Sequence, residues 1–225
     1  MIRYPVILLA LLPLILHAQP DTTPPQPSPG HIDPLGGPHG GADPHASLNA
    51  DQQIKVALQH RVEGRLPEAI KVMELSLRTY PSHAASYAVM ADLLNKQGEQ
   101  ARALAMIQQA IALDDTSALF YVSRALMYMP FERYDVAMED LNLAVELDAD
   151  LIAARFNRGS LLVQLEKYEL ARADFDHCIA VDPHLPAPYF NRGAVYYLLG
   201  SKDKAVEDIE HFIELTQNED WKTSA

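Results

Sequence analysis

The sequence has few cysteines and few basic residues, and each shortage excludes a class of protein. A single cysteine among 225 residues leaves no intramolecular disulfide and too few thiolates for the common zinc sites. Lysine and arginine number 18 against 30 aspartates and glutamates, a formal net charge of −12. This charge repels the phosphates of nucleic acids and anionic membrane surfaces. We therefore expect an acidic protein without disulfides that does not bind nucleic acid.

Residues 1–18 have the features of an export signal. Arg3 gives a short positive start, and Val6–Leu16 is an apolar run that one proline interrupts. Ala18 is a small residue suited to the position before a cleavage site. The run is shorter than the roughly 20 residues of a membrane-spanning helix. We predict an exported protein, periplasmic or secreted, with no integral membrane span. The alternatives are an uncleaved anchor and the apolar start of a cytosolic helix.

The segment that follows is rich in proline and glycine. Residues 19–48 hold eight of the 16 prolines and five of the 10 glycines. Proline lacks an amide donor and glycine loses much entropy on ordering, so neither helix nor sheet is expected. We predict a disordered tether over residues 19–49 and a polar tail over residues 220–225. The tether histidines match no defined metal site, although weak metal binding is an alternative.

The remaining chain repeats itself every 34 residues. The segment Phe156–Gly159 reads Phe-Asn-Arg-Gly and recurs as Phe190–Gly193. The predicted units one to five span residues 50–83, 84–117, 118–151, 152–185 and 186–219. Position twenty is always alanine: Ala69, Ala103, Ala137, Ala171 and Ala205. Position eight is always small: Ala57, Ala91, Ala125, Gly159 and Gly193.

These repeated positions indicate two antiparallel helices in each unit. Apolar residues at positions four, eight and eleven fall on one helical face, and small residues at eight and twenty let two helices approach closely. Gly159 and Gly193 each cost about 1 kcal/mol relative to alanine inside a helix. Their matching positions indicate that the packing leaves no room for a Cβ. Pro81 and Pro183, at position thirty-two, stop the second helices of their units.

On its period, its small residues at eight and twenty, and its proline at thirty-two, the chain resembles the tetratricopeptide-repeat family. The resemblance covers residues 50–219 and implies an all-α, right-handed solenoid of five helix–turn–helix units. Gln53 and His60 depart from the large apolar residues expected in unit one. In unit five, Phe212 replaces a small residue and Gln217 replaces proline. Terminal units are commonly atypical because one face has no neighbour.

The family resemblance implies that the first helices of the units line a concave groove through positions two, five, nine, twelve and thirteen. In units three to five these positions are mostly apolar, which predicts a site for an extended or helical peptide. The predicted groove residues are Leu119, Val122, Leu126, Met129, Phe156, Val163, Phe190 and Tyr197. Alternatively, these side chains fill a tight superhelix, or the assigned face is wrong by one position.

The second helix of the last unit has no following helix to cover it. Apolar residues recur there at helical spacing, whereas a solenoid usually ends in a polar cap. These residues are Val206, Ile209, Phe212 and Ile213. They predict a C-terminal face that docks a partner or forms a homodimer.

We find no pattern that points to catalysis. Cys178 occupies a position that is usually alanine, so we predict a buried packing role rather than a nucleophile. Arg124, Arg158 and Arg192 share one position, and we predict that they pair with acidic residues of neighbouring helices. The chain has no glycine-rich phosphate loop, zinc signature or nucleophile elbow. We predict no enzyme activity, no metal and no cofactor.

The sequence thus predicts a non-enzymatic scaffold or adaptor of the cell envelope, which binds a partner protein or peptide in its groove or at its C-terminal end. The resemblance to exported bacterial repeat proteins implies roles in envelope biogenesis, proteolysis or secretion. The alternative is a self-assembling homodimeric module whose groove is filled by its own N-terminal tether. A metal-dependent or hydrolytic enzyme ranks last.

Overall fold

The computed structural model describes residues 44–217, which form ten α-helices, one short 3₁₀ helix at Met129–Phe131 and no strand. The helices are α1 Ala50–Val62, α2 Leu66–Thr79, α3 Ala84–Lys96, α4 Gln100–Leu113, α5 Ala118–Tyr128, α6 Tyr134–Leu147, α7 Ile152–Gln164, α8 Tyr168–Val181, α9 Pro186–Leu198 and α10 Lys202–Gln217. Within the described range, none of them combines the length and apolar character of a membrane span. The predicted export signal, most of the tether and the polar tail lie outside the described residues.

The ten helices form five hairpins stacked in chain order. The first helix of each hairpin begins at the first residue of a predicted repeat unit. The second helix of each hairpin packs against the first helix of the next, and each first helix also contacts the following first helix. The protein is therefore the all-α solenoid of five hairpins that the sequence predicts. Its first helices α1, α3, α5, α7 and α9 form a continuous surface, here called the first-helix face.

The small residues lie where the paired helices approach each other. All five alanines at position twenty are buried. At Gly159, an added Cβ would lie 2.9 Å from Cε1 of Phe175, and at Gly193 it would lie 3.2 Å from the Cβ of Asp208. A Cβ at Gly159 would therefore force a neighbouring atom to shift, and a Cβ at Gly193 would be a tight fit.

The turn inside each hairpin passes through one residue with a left-handed backbone. Glycine occupies this position in units one, two and five, with Gly200 at φ 80°. Units three and four place Glu132 and Glu166 there, at φ 56° and 58°. A side chain with a Cβ is disfavoured in this conformation. The hairpin geometry therefore imposes the turn even where the sequence lacks glycine.

A buried arginine–aspartate pair recurs in units three, four and five, which confirms the predicted pairing of the three arginines. In unit three, Arg124 donates from Nε and Nη2 to the carboxylate of Asp140, at 2.9 and 2.6 Å. Arg158 donates to Asp174 in the same way, at 2.8 and 2.7 Å. Each pair joins the two helices of one hairpin. The hydrogen bond to the buried aspartate raises the pKa of each of these two arginines.

The same pair in unit five also joins neighbouring hairpins. Arg192 donates to both oxygens of Asp208, at 2.8 and 2.6 Å. Its Nη1 donates at 2.7 Å to Asp176, which lies on the second helix of unit four. Arg158 makes the equivalent bond to Asn142 of unit three, at 3.1 Å. Arg158 and Arg192 therefore link successive hairpins as well as the helices within their own.

Units one and two fill these two positions with apolar residues instead. Val56 and Val72 take the places of arginine and aspartate in unit one, and Met90 and Met106 take them in unit two. Both members of the pair change together, so neither unit leaves a buried charge without a partner.

The segment before α1 covers the exposed side of unit one, and it explains the polar residues there. Gln53 is fully buried and donates from Nε2 to the carbonyl oxygen of His45, at 2.9 Å. The rings of His45 and His60 meet edge to face, with their centroids 6.3 Å apart. Gln53 and His60 thus contact this segment, in place of the neighbouring hairpin that the inner units have.

Two further contacts hold the same segment. The Tyr80 hydroxyl donates to the carbonyl oxygen of Leu48 at 3.0 Å. Asn49 and Gln52 exchange side-chain and backbone hydrogen bonds at the start of α1. Residues 44–49, the last six of the predicted tether, are therefore packed against the first hairpin.

Candidate functional site

Seven of the eight predicted groove residues lie on the first helices α5, α7 and α9, and Met129 lies in the 3₁₀ turn after α5, but they differ in exposure. Leu119 on α5 and Tyr197 on α9 are 42% and 66% exposed. The half-buried members are Leu126, Met129, Val163 and Phe190, and the buried members are Val122 and Phe156. Six of the eight predicted residues therefore present some surface, and two form the layer beneath it.

The phenylalanines contribute to packing within their own hairpins. The ring of Phe156 meets the ring of Phe175 edge to face, with centroids 5.8 Å apart. Phe190 packs on Phe212 with centroids 5.3 Å apart. Phe156 is almost fully covered as a result, so a ligand on this face could contact it only slightly. Phe156 therefore fits the alternative given in the sequence analysis, in which the side chain fills the superhelix and does not line a groove.

Charge is unevenly distributed along the first-helix face. In units three to five, positions two, five, nine, twelve and thirteen carry no charged residue. Units one and two place several charges at these positions, including Arg61 and Asp92, which form an ion pair at 2.6 Å. Burial of an ionised group without a partner is unfavourable. A ligand that covers α5, α7 and α9 avoids this cost at the five positions, because none of them is charged.

One exposed aromatic residue near this face is not predicted by the repeat pattern. Phe131 lies in the 3₁₀ turn after α5 and is largely exposed. Pro130 precedes it, and α5 is the shortest α-helix, ending at Tyr128. Proline is unfavourable inside a helix, so Pro130 is the sequence signal that could have drawn attention to this turn.

The predicted C-terminal face divides into two parts. Val206 and Ile213 are 56% and 41% exposed on α10. Ile209 instead packs against the backbone of Gly193. A Cβ added to Gly193 would lie 3.3 Å from Cδ1 of Ile209. Phe212 packs on Phe190. Val206 and Ile213 are therefore the exposed members of the four, while Ile209 and Phe212 are half-buried and pack within the last hairpin.

Cys178 lies inside the fourth hairpin, as predicted for a packing residue. It is fully buried, and its thiol donates to the carbonyl oxygen of Ile152 at 3.8 Å. Burial, together with the nearby Asp174 carboxylate, raises the pKa of Cys178 to about 12. The thiol is therefore protonated at neutral pH and is a poor nucleophile. Over residues 44–217, no three histidine, cysteine or acidic side chains are grouped to hold a metal ion.

The repeat geometry agrees with the comparison to known families. The tetratricopeptide-repeat family model matches residues 118–151, 152–185 and 187–219, which are units three, four and five. The chain is a tetratricopeptide-repeat protein. Units one and two continue the same hairpin geometry, with apolar residues in place of the arginine–aspartate pair. A search of curated protein sequences found no match.

Solved structures of other tetratricopeptide-repeat proteins share this fold. PilF of Pseudomonas aeruginosa is 20% identical, with a TM-score of 0.69 over 73% of this chain and 75% of its own. PilW, a type IV pilus biogenesis factor, is 16% identical, with a TM-score of 0.68 over 75% of this chain and 78% of its own. YrrB, described as having an unusual peptide-binding site, is 20% identical, with a TM-score of 0.56 over 76% of this chain and 88% of its own. At these identities the likeness shows the fold.

Proposed function

We propose that this tetratricopeptide-repeat protein is a non-enzymatic scaffold that binds a partner peptide or protein on the first-helix face of units three to five. Proteins of this family generally mediate protein–protein interactions. The observation that carries the proposal is that this face lacks charge at the five positions across three successive hairpins while it exposes Leu119 and Tyr197. Apolar surface of this kind gains free energy when a partner covers it.

The expected ligand is an apolar segment in an extended or helical conformation. Leu126, Met129 and Val163 lie half-buried on the same face as Leu119 and Tyr197, so apolar contacts are available on all three first helices. A strongly charged peptide would find no counter-charge at these positions. The peptide-binding site reported for YrrB gives a precedent for peptide recognition on a similar fold.

We place this activity in the cell envelope. Support comes from the export-signal features of residues 1–18 and from the fold shared with the pilus biogenesis factor PilW. The test is to express the full chain in a bacterial host and to determine the N-terminal residue of the exported product by mass spectrometry. A product that begins at residue 19 supports export, whereas retention of the whole chain in the cytosol contradicts it.

The binding site is tested with two double variants that are matched for exposure. Leu119→Ser with Tyr197→Ser removes apolar surface from the first-helix face. Leu147→Ser with Leu170→Ser removes side chains that are 40% and 59% exposed on second helices. In photo-crosslinking from the exporting cell, we expect the first variant to lose the captured partner and the second to retain it.

Two results would contradict the proposed site. One is unchanged capture by the Leu119 and Tyr197 variant, and the other is equal loss by both variants. Far-UV circular dichroism of both proteins verifies that helicity is unchanged. These exposed residues are better probes than Phe156 or Phe190, because substitution of those two would disturb the packing against Phe175 and Phe212.

A second candidate function is self-assembly through the C-terminal face, with the groove filled by the N-terminal tether. The exposure of Val206 and Ile213 favours it. Light scattering of the wild type and of Val206→Ser with Ile213→Ser tests it. A dimeric wild type and a monomeric double variant would support self-assembly, whereas a monomeric wild type would exclude it.

Deletion of residues 19–43 tests whether the tether fills the groove, and it leaves the packed residues 44–49 in place. Improved partner binding after the deletion would identify the tether as an intramolecular ligand.

A further inference from the structure

The outward side of α10 exposes positions that the following hairpin covers in the other units. Positions twenty-one and twenty-eight hold Val206 and Ile213 in unit five, and both are exposed. In units one to four these positions are half-buried and hold Ile70 and Leu77, Leu104 and Ile111, Met138 and Val145, and Arg172 and Ile179. Ile111 of unit two and Met138 of unit three pack against core residues of the hairpin that follows each. The solenoid itself therefore shows that a helix fits on this side of α10.

Between these two positions lies an acceptor for an arginine of the following hairpin. In unit three, Asn142 at position twenty-five accepts a hydrogen bond from Arg158 of the next first helix, at 3.1 Å. In unit four, Asp176 at the same position accepts one from Arg192, at 2.7 Å. Unit five has Glu210 there, which is exposed and makes no hydrogen bond or ion pair within residues 44–217. Glu210 thus presents a free carboxylate where units three and four bind an arginine.

The exposed charges around Glu210 are also acidic. After the first turn of α10, the exposed charged residues of this helix are Glu207, Glu210 and Glu214. Both lysines of α10 lie in its first turn, and His211 contacts Glu214 at 3.5 Å. Within the described part of the chain, Glu207 and Glu210 have no cationic partner. This charge favours a basic group beside the exposed valine and isoleucine.

A second copy of the chain is a poor fit for this face. Two α10 helices packed on each other would bring the same glutamates together, which is unfavourable. A head-to-tail stack would place α1 on α10, but α1 has Val56 at the arginine position. Residues 44–49 also pack on unit one already, through Gln53 and Tyr80. The complementary occupant is therefore a different protein.

Phe212 distinguishes the expected helix from that of a sixth identical repeat. Position twenty-seven is small in units one to four, and Ser76 of unit one lies 2.9 Å from Ser86 of the next first helix, Oγ to Oγ. In unit five the ring of Phe212 occupies this position. A helix on this face therefore needs a small residue opposite the ring.

We propose that the outward face of α10 is a second binding site, which accepts an amphipathic helix of a partner protein that carries an arginine. Apolar residues of this helix pack on Val206 and Ile213, and the guanidinium binds the carboxylate of Glu210. Arg158 and Arg192 make the equivalent contact on the hairpins before them. The site lies at the C-terminal end of the solenoid and does not depend on the first-helix face.

The probe for this site is a peptide of residues 152–164, the sequence of α7, held helical by a hydrocarbon staple. It carries Arg158 at the arginine position and Ala154 where a small residue is needed. Fluorescence anisotropy of the labelled peptide measures its binding to the full chain. We expect Val206→Ser with Ile213→Ser to weaken binding by about tenfold or more. Leu119→Ser with Tyr197→Ser, on the first-helix face, should leave it unchanged.

An exchange of charge tests the contact with Glu210. Glu210→Arg should weaken binding of the peptide by about tenfold or more. A peptide with Arg158→Glu should bind this variant better than it binds the wild type. Glu207→Arg is the matched control, because position twenty-two is exposed in all five units and the following hairpin does not cover it. This control should bind the original peptide nearly as well as the wild type does.

Several results would overturn the proposal. The stapled peptide could fail to bind, Glu210→Arg and Glu207→Arg could lose binding equally, or the charge exchange could fail to restore it. Loss in the Leu119 and Tyr197 variant alone would place the peptide on the first-helix face, which contradicts this site and leaves the proposed function standing. A wild-type dimer in light scattering that Val206→Ser with Ile213→Ser makes monomeric would assign the face to a second copy. Circular dichroism verifies that each variant keeps its helicity.

Discussion

The backbone of Gly159 lies against the ring of Phe175, so that a Cβ on Gly159 would lie 2.9 Å from Cε1 and 3.0 Å from Cζ. Unit three has alanine and leucine at the same two positions, Ala125 and Leu141, and both are fully buried. The two units thus fill a similar space in different ways, with a methyl group and an isobutyl group in one and with no side chain and a phenyl ring in the other.

We predict that Gly159→Ala destabilises the protein, although alanine is the better helix former by about 1 kcal/mol. The buried Phe175 ring cannot move away without disturbing its neighbours. We expect the free energy of unfolding to fall by about 1–3 kcal/mol, as for other overpacked cores. Urea denaturation followed by circular dichroism measures the change.

The compensating variant is Gly159→Ala with Phe175→Leu, which reproduces the Ala125 and Leu141 pair of unit three. It should recover most of the stability that Gly159→Ala loses. A neutral or stabilising effect of the single substitution would show that the ring has room to move. If the double variant loses more free energy of unfolding than the two single variants lose together, the two units are not interchangeable.

The buried pair of Arg124 and Asp140 should be sensitive to the loss of one member and tolerant of the loss of both. Asp140→Ala leaves a partly buried guanidinium without its partner, so we expect a loss of about 3 kcal/mol. Arg124→Met with Asp140→Met reproduces the methionine pair of unit two and should lose less than half of that. Thermal and urea unfolding of the single and double variants measure the coupling. Additive losses would contradict it.

The alanines at position twenty should not accept larger side chains. Ala137 is fully buried between the helices of unit three, and Ala137→Leu should lower the free energy of unfolding by about 1–3 kcal/mol through overpacking. Ala180→Leu is the matched control, because Ala180 lies exposed on α8. Equal melting temperatures for Ala137→Leu and the wild type would argue against the close approach of these helices.

The thiol of Cys178 should be unreactive in the folded protein. An ordinary thiol has a pKa of 9.0, and burial raises the pKa of Cys178 to about 12, so little of the reactive thiolate forms. We expect a thiol reagent at about pH 8 to modify the urea-unfolded chain and to leave the native chain unmodified. Fast modification of the native protein would contradict the buried position.

The same shift has a consequence for stability. Above pH 9.0 the unfolded chain releases the thiol proton, whereas the folded chain keeps it until about pH 12. The unfolded state is therefore favoured increasingly across this window, and the stability that the buried thiol contributes declines as the pH rises. Cys178→Ala should show a smaller decline than the wild type when urea unfolding is compared at pH values on either side of 9.0.

The departures in unit one illustrate what a repeat pattern leaves undecided. Gln53 and His60 occupy apolar positions, and periodicity alone marks them only as atypical. Their role depends on His45, which lies eight residues before Gln53 and outside the repeat. A contact between a repeat and a segment without periodicity leaves no periodic signal in the sequence. The same reason explains why Phe131, in an irregular turn, was not predicted.

The sequence by itself determined the five hairpins, the family, the buried place of Cys178 and the pairing of Arg124, Arg158 and Arg192 with acidic residues. Each of these follows from local helix periodicity and from small or charged side chains that recur every 34 residues. Only the tertiary structure decided that Phe156 is covered while Tyr197 is exposed. Exposure depends on how the side chains of neighbouring hairpins fill the space between them, and residues of the same type at equivalent positions meet different neighbours in each unit.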